Sequence, residues 1–133
     1  MSNFQGKQAL IIEDDMPSVE VLQMLLEQVL VDSDVIGDNQ NIAEDLDEVN
    51  VPDIIFLDLE MPMRNGYKVL EMIQSKVRFD EIPVVAYTTH VSHLNDAKKA
   101  GFHSFIGKPL DSSRFAEQLE RILNGESVWE VPS

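Results

Sequence analysis

The sequence predicts an α/β fold, a single parallel sheet of five strands wound with helices on both faces. Short apolar, β-rich runs alternate with stretches of helical period along the chain, which is how successive βα units read. Those runs are nearly continuous in apolar residues, as strands covered on both faces are. A third observation orients the sheet: polar positions end four of the runs. They are Glu13-Asp14-Asp15 after residues 9–12, Asp58 after 54–57, Thr88 after 84–87 and Lys108 after 105–107. In an open parallel sheet every strand points the same way, so such ends meet on one edge, where ligands bind.

The first strand is expected at 7–12 and the first helix at 17–30, with Pro17 suited to an opening turn. At 100° per residue Val19, Leu22, Leu25, Leu26, Val29 and Leu30 share an arc of about 140°, the core face. Val21 and Met24 fall outside it, among Glu20, Gln23, Glu27 and Gln28, which suits them equally to an exposed apolar contact beside the acidic site or to partial burial against a neighbouring loop. The second strand, 33–37, is the least apolar and suits an edge. A helix at 40–49, a strand at 53–58, a helix at 65–76 and a strand at 82–87 follow. The fourth helix, 91–100, is closed by Gly101. The last strand, 103–106, precedes a helix at 112–124, for which Asp111 is the N-cap and Phe115, Leu119 and Ile122 the buried face. This places one domain over residues 1–124 and a short tail over 125–133. Trp129 in that tail reads equally as packing back on the domain or as marking a contact.

A chain of 133 residues is the size of one domain with a real core. With 44% hydrophobic and 26% charged residues it reads as soluble and globular, and no apolar run nears the roughly 18 residues of a membrane span. The first seven residues lack a signal peptide's apolar stretch, so the expected location is cytoplasmic. The absence of cysteine excludes disulfides and thiolate metal sites. The net charge of -14 is uneven: residues 1–60 hold 15 acidic side chains and one basic, Lys7, whereas residues 61–133 hold nine of each. That field argues against direct binding of nucleic acid, which rests on Lys and Arg neutralising phosphates.

Carboxylates gathered with one hydroxyl and one ammonium fit chemistry on a metal-bound phosphoryl group. The motifs Leu10-Ile-Ile-Glu-Asp-Asp15, Pro52-Asp-Ile-Ile-Phe-Leu-Asp-Leu-Glu-Met-Pro62 with Asn65-Gly66, Pro83-Val-Val-Ala-Tyr-Thr-Thr-His90, and Ala100-Gly101 through Phe105-Ile-Gly-Lys-Pro109 then resemble the response-regulator receiver domain of two-component signalling. The resemblance covers residues 7–124. It implies a flavodoxin-like sheet of order 2-1-3-4-5 and makes Asp58 the residue phosphorylated by a histidine kinase or phosphotransfer protein. Asp14 resembles the direct Mg²⁺ ligand and Glu13 the acid that helps through water; with Asp58 and the main-chain carbonyl of Glu60 they form an oxygen shell of the kind Mg²⁺ takes. Asp15 is an extra carboxylate. Lys108 and Thr88 would hold the phosphoryl oxygens, and Phe105 would turn inward as the Thr88 loop moves, remodelling a surface that a downstream protein reads. A cis peptide at Lys108-Pro109 is implied as well. No membrane insertion is expected, and a homodimer on phosphorylation fits the family.

Glu60 and His90, two residues beyond Asp58 and Thr88, are candidates to reach a water attacking the acyl phosphate and so to tune self-hydrolysis, although His90 reads equally as a surface residue at a helix start. His93 and His103 have no legible partner, and a histidine-based metal site is not expected. By this reading the chain is no enzyme in the ordinary sense: it catalyses only its own phosphorylation and slow dephosphorylation. Two rivals share parts of the pattern. A magnesium-dependent phosphohydrolase with an aspartyl nucleophile usually carries a second Asp two residues on, where this chain has Glu60. A flavodoxin-like electron carrier needs a phosphate loop where Glu13-Asp14-Asp15 would repel phosphate. A stand-alone regulator, a phosphorelay shuttle and a receiver within a longer protein all fit the sequence equally.

Overall fold

A computed structural model describes residues 4–37, 41–61 and 65–131. Strands β1 (Gln8–Ile12), β2 (Asp32–Ile36), β3 (Ile54–Asp58), β4 (Val84–Thr88) and β5 (Ser104–Gly107) alternate with helices α1 (Met16–Gln28), α2 (Ile42–Glu48), α3 (Gly66–Gln74), α4 (Leu94–Ala100) and α5 (Phe115–Leu123). Parallel pairing joins them into one sheet. The expected count of five strands needs correction, because Trp129–Glu130 forms a sixth, β6, parallel to β5, and the order is β2-β1-β3-β4-β5-β6. This strand lies in the segment read as a tail. The Phe105 N–H donates to the Val128 carbonyl at 2.7 Å and the Val128 N–H to Ser104 Oγ at 3.0 Å, so the segment satisfies the polar edge of β5.

Two apolar clusters cover the sheet. Val19, Leu22, Leu25 and Leu26 of α1 and Phe115, Leu119 and Ile122 of α5 pack on one face with Ile11, Phe56 and Tyr87. Helices α2, α3 and α4 cover the other through Leu46, Leu70 and Ala97, against Leu10, Leu57 and Phe105. Strands β1 and β3 to β5 are buried nearly throughout, whereas β2, the edge foreseen, leaves Asp32, Asp34 and Val35 exposed.

Helix ends explain where pattern and structure part. Leu30, placed on the core face by its angle, lies beyond the end of α1 at φ 66° and is 64% exposed. The Leu30 N–H donates to Glu27 O and the Val31 N–H to Leu26 O, a Schellman cap whose left-handed position falls on Leu30 instead of a glycine. Buried Val31 then packs with Leu26 on the core. Gly101 does end α4, at φ 102°. The first turn of the expected fourth helix is a separate 3-10 turn, Val91–His93. Asp111 accepts from the Ser113 N–H and hydroxyl at 2.9 and 2.6 Å, and α5 starts only at Phe115. No helix among the described residues is long and apolar enough to cross a membrane.

Candidate functional site

The carboxyl ends of β1, β3, β4 and β5 bound a cleft of about 450 Å³, lined by Asp14, Asp15, Asp58, Glu60, Thr88 and Lys108 among others. Register accounts for the convergence: Leu57 lies beside Ile12, Asp58 beside Tyr87, and Thr88 beside Gly107, each the last or next-to-last residue of its strand. The Lys108 N–H then donates to the Thr88 carbonyl at 2.8 Å, extending the ladder past β5. Gly66 opens α3 hard against this edge, where a Cβ would sit 2.7 Å from Leu59 Cα and 2.9 Å from the Asp58 carbonyl oxygen. Of the motif after β3, Pro62 lies outside the described residues.

Glu13, Asp14 and Asp58 bring carboxylate oxygens within 4.8 Å of one another. Glu13 and Asp58 are buried. Burial above all, then a hydrogen bond shared with Glu13 and the Glu13 charge, pushes the Asp58 carboxyl up to about 7. Glu13 bears the same desolvation, yet hydrogen bonds from Asp58 and Lys108 and the ammonium's charge hold it below the usual carboxylate range. The pair's proton is thereby biased toward Asp58 and its charge toward Glu13. Lys108 Nζ rests 2.6 Å from Glu13 Oε1 and 3.9 Å from Asp58 Oδ1. It also meets Ser18 Oγ at 3.3 Å and lies 4.4 Å from the centre of the Tyr87 ring. Tyr87 donates its hydroxyl to Glu13 at 3.2 Å.

Asp58 Oδ1 accepts the Glu60 N–H at 3.1 Å, and Thr88 Oγ1 the His90 N–H at 3.2 Å. Asp15 turns away to cap α1, taking the Ser18 N–H and hydroxyl on Oδ2, which lowers its own pKa. Phe105 is fully buried, and the Lys108-Pro109 peptide is cis. Val21 and Met24 stand on the exposed face of α1 at 45% and 51% exposure. Val21 also lines an apolar groove with Pro17, Pro109 and Leu110.

Three contributors escaped the sequence. Ser18 and Tyr87 hold the ionic cluster, and the register of Tyr87 beside Asp58 is the one signal that points to it. His93 gains partners: its Nε2 lies 3.6 Å from Glu60 Oε1 and its Nδ1 3.2 Å from the Tyr67 hydroxyl, while His90 Nδ1 lies 2.5 Å from the same Glu60 oxygen. Trp129 packs back on the core, under the Lys98 ammonium at 5.1 Å.

Residues 9–120 match the family model of the response regulator receiver domain. Stress response regulator protein 1 of Lodderomyces elongisporus is 31% identical over 115 residues, which are 84% of this chain and 32% of that protein. Nitrate/nitrite response regulator protein NarL of Escherichia coli is 30% identical over 134 residues, 96% of this chain and 60% of that one. The chain thus spans only part of the length of these relatives. Among solved structures, the receiver domain of the sensor histidine kinase PA1611 from Pseudomonas aeruginosa, which holds a magnesium ion in its active site cleft, superposes with a TM-score of 0.79 at 19% identity, covering 90% of this chain and 98% of its own. Chemotaxis response regulator CheY4 of Vibrio cholerae gives 0.77 at 17% identity, covering 87% and 98%.

Proposed function

The chain belongs to the response regulator receiver domain family, and on that footing we propose that it is a phosphoacceptor in two-component signalling, taking a phosphoryl group on Asp58 from the phosphohistidine of a histidine kinase or phosphotransfer protein. The observation that carries this is Asp58 itself, a buried carboxyl facing a cleft, with two further carboxylates and an ammonium converging on it.

The oxygen set fits Mg²⁺: Asp14, Asp58 and the Glu60 carbonyl would hold it directly and Glu13 through water, and when bound it neutralises charge on the phosphoryl oxygens. The acidic cluster, with Asp58 forced to keep a proton near neutrality, is one that a cation relieves. In the transfer, the ionised Asp58 oxygen attacks phosphorus, the P–N bond to the donor imidazole breaks, and the imidazole keeps that electron pair. Lys108 then shifts from Glu13 to a phosphoryl oxygen, and the Thr88 hydroxyl donates to another. At about 1.5–3 kcal/mol per charge-assisted bond, the two set an upper bound of about 10² to 10⁴ on the bias of a two-state equilibrium, since Lys108 gives up its bond to Glu13 to make one of them. The Thr88 connection and buried Phe105 pass that bias to the surface of α4, β5 and α5, where a downstream protein reads it. Val21 and Met24 offer the donor an apolar contact beside the cleft. The domain acts on itself and turns over no separate substrate, in a cytoplasmic setting.

Treating the protein with a small acyl-phosphate or phosphoramidate donor, with and without Mg²⁺, tests this by peptide mass mapping. One acid-stable, base-labile phosphoryl group on Asp58 is expected, dependent on Mg²⁺ and absent from Asp58→Asn. An adduct surviving in that variant, or steady turnover of phosphate esters, would overturn the assignment. The decay of the same adduct tests a finer point. The Glu60 carboxylate lines the cleft with His90 against it, so both act on the attacking water, and Glu60→Ala and His90→Ala should slow hydrolysis several-fold; unchanged decay removes that role.

A further inference from the structure

The three side chains Glu60, His90 and His93 form a second cluster at the lip of the cleft, apart from the carboxylates below. We propose that they are a binding site for a divalent transition-metal ion of the zinc class. Two imidazoles and one carboxylate are the ligand set of three-point zinc sites that keep a fourth position for water. Their ligand atoms, one from each side chain, all lie within 4.8 Å of one another. A tetrahedral ion with bonds of about 2.0–2.1 Å needs neighbouring ligand atoms about 3.3 Å apart. His93 Nε2 already stands 3.6 Å from Glu60 Oε1; His90 Nδ1, at 2.5 Å, has only to swing outward, and its side chain is 58% exposed and free to do so.

The surroundings favour a metal over a chance meeting of side chains. His93 spends its other nitrogen on the Tyr67 hydroxyl, 3.2 Å from Nδ1. With the Tyr67 oxygen accepting from Nδ1–H, Nε2 is left bare for an ion beside Glu60, the outer support that ligating histidines commonly have. The two imidazole planes are within 6° of parallel, with ring centres 6.1 Å apart. Imidazole nitrogen suits zinc, copper and nickel ahead of magnesium, whose oxygen-only preference directs it to the lower cluster. The two sites select different ions.

Position gives the ion a consequence, and this part rests on the phosphoacceptor reading. Glu60 is the residue whose N–H holds Asp58, and His90 the one whose N–H holds Thr88. An ion at the lip would staple the connection after β3 to the connection after β4, and so restrain the loop that must move when phosphate arrives.

Calorimetric titration of the tag-free protein with zinc chloride, in excess Mg²⁺, tests the site. One equivalent should bind, with affinity falling at least 100-fold in His93→Ala and in Glu60→Gln and about 10-fold in Tyr67→Phe, as loss of outer support does. Asp14→Asn should bind zinc as the parent does. Cobalt in place of zinc should give the visible bands of a tetrahedral ion. Absence of binding, binding unchanged in His93→Ala, or binding lost in Asp14→Asn would overturn the site. Zinc should also slow Asp58 phosphorylation several-fold in the parent and not in His93→Ala. If the phosphoacceptor reading failed, the calorimetric result would still stand.

Discussion

Asp58→Asn should be more stable than the parent by about 2–4 kcal/mol at pH 8 without Mg²⁺, and no more stable at pH 4. The carboxyl is pushed up to about 7 from an ordinary 3.8, first by burial and then by the hydrogen bond and charge of Glu13. A carboxyl whose folded pKa lies above its unfolded one binds its proton more tightly in the native state. The stability it contributes is complete below about pH 3.8 and is lost as pH climbs through about 7. At about 1.4 kcal/mol per unit, three units set an upper bound near 4 kcal/mol. Asparagine is a neutral isostere able to keep the hydrogen bond to Glu13, so it escapes the loss. Glu13 runs the other way: its depressed pKa adds stability above its ordinary range that disappears on acidification, in both proteins alike. Urea unfolding from pH 4 to 8.5 reads the difference. Mg²⁺ should remove it by stabilising the parent, increasingly as pH rises. A gap that ignores pH would show that Asp58 ionises freely. Such a penalty, kept at the one carboxylate that must be ionised to attack phosphorus, is how a site trades stability for reactivity.

Much of this edge was legible because parallel topology turns chain order into spatial position. Asp58, Thr88 and Lys108 each follow a run of buried residues, and runs of that kind in one sheet end on one rim. What stayed hidden depends on side-chain direction and on contacts between distant residues. Nothing in the sequence says that Lys108 rests on Glu13, 95 residues away, in preference to Asp58. Leu30 misled because helical angle cannot register a left-handed cap occupied by leucine. The strand at Trp129–Glu130 is too short to show a period of two; its place is set by Ser104 Oγ and by Gln118, Arg114 and Arg121, all of which reach Glu130. His93 sits on a 3-10 turn, where neither helical nor strand period applies, and its partners come from the β3 edge and α3.

Lys108→Ala should cost about 3 kcal/mol of stability at pH 8, more than any surface lysine. Among the described residues the ammonium is the one positive charge within 4.0 Å of either Glu13 or Asp58, and both side chains are nearly sealed from water. Removing one partner of a buried ion pair costs about 3–5 kcal/mol, because the other is left charged and unpaired. Proton uptake by the two carboxyls limits the loss to the lower end, and the loss should shrink on acidification below the usual carboxylate range, where Glu13 itself is neutralised. Lys108→Met keeps much of the stem that packs on Tyr87 and separates volume from charge; it should recover less than half of the stability. Combining Lys108→Ala with Glu13→Gln closes the cycle. Once the buried charge is gone the lysine has little left to neutralise, so the double variant should be more stable than Lys108→Ala alone by about 2 kcal/mol, whereas Glu13→Gln in the parent should destabilise; the difference between those two effects is the coupling. Additive losses would break the link between Lys108 and Glu13. The same variant addresses signalling. Without the ammonium, Asp58 should still accept phosphate from a small donor, but the phosphoryl group loses a contact of about 1.5–3 kcal/mol, and the shift it drives at Thr88 and Phe105 should weaken by up to about 100-fold. Amide chemical shifts of those two residues, before and after phosphorylation, measure it. A full shift in Lys108→Ala would leave Thr88 as the sole carrier of the switch.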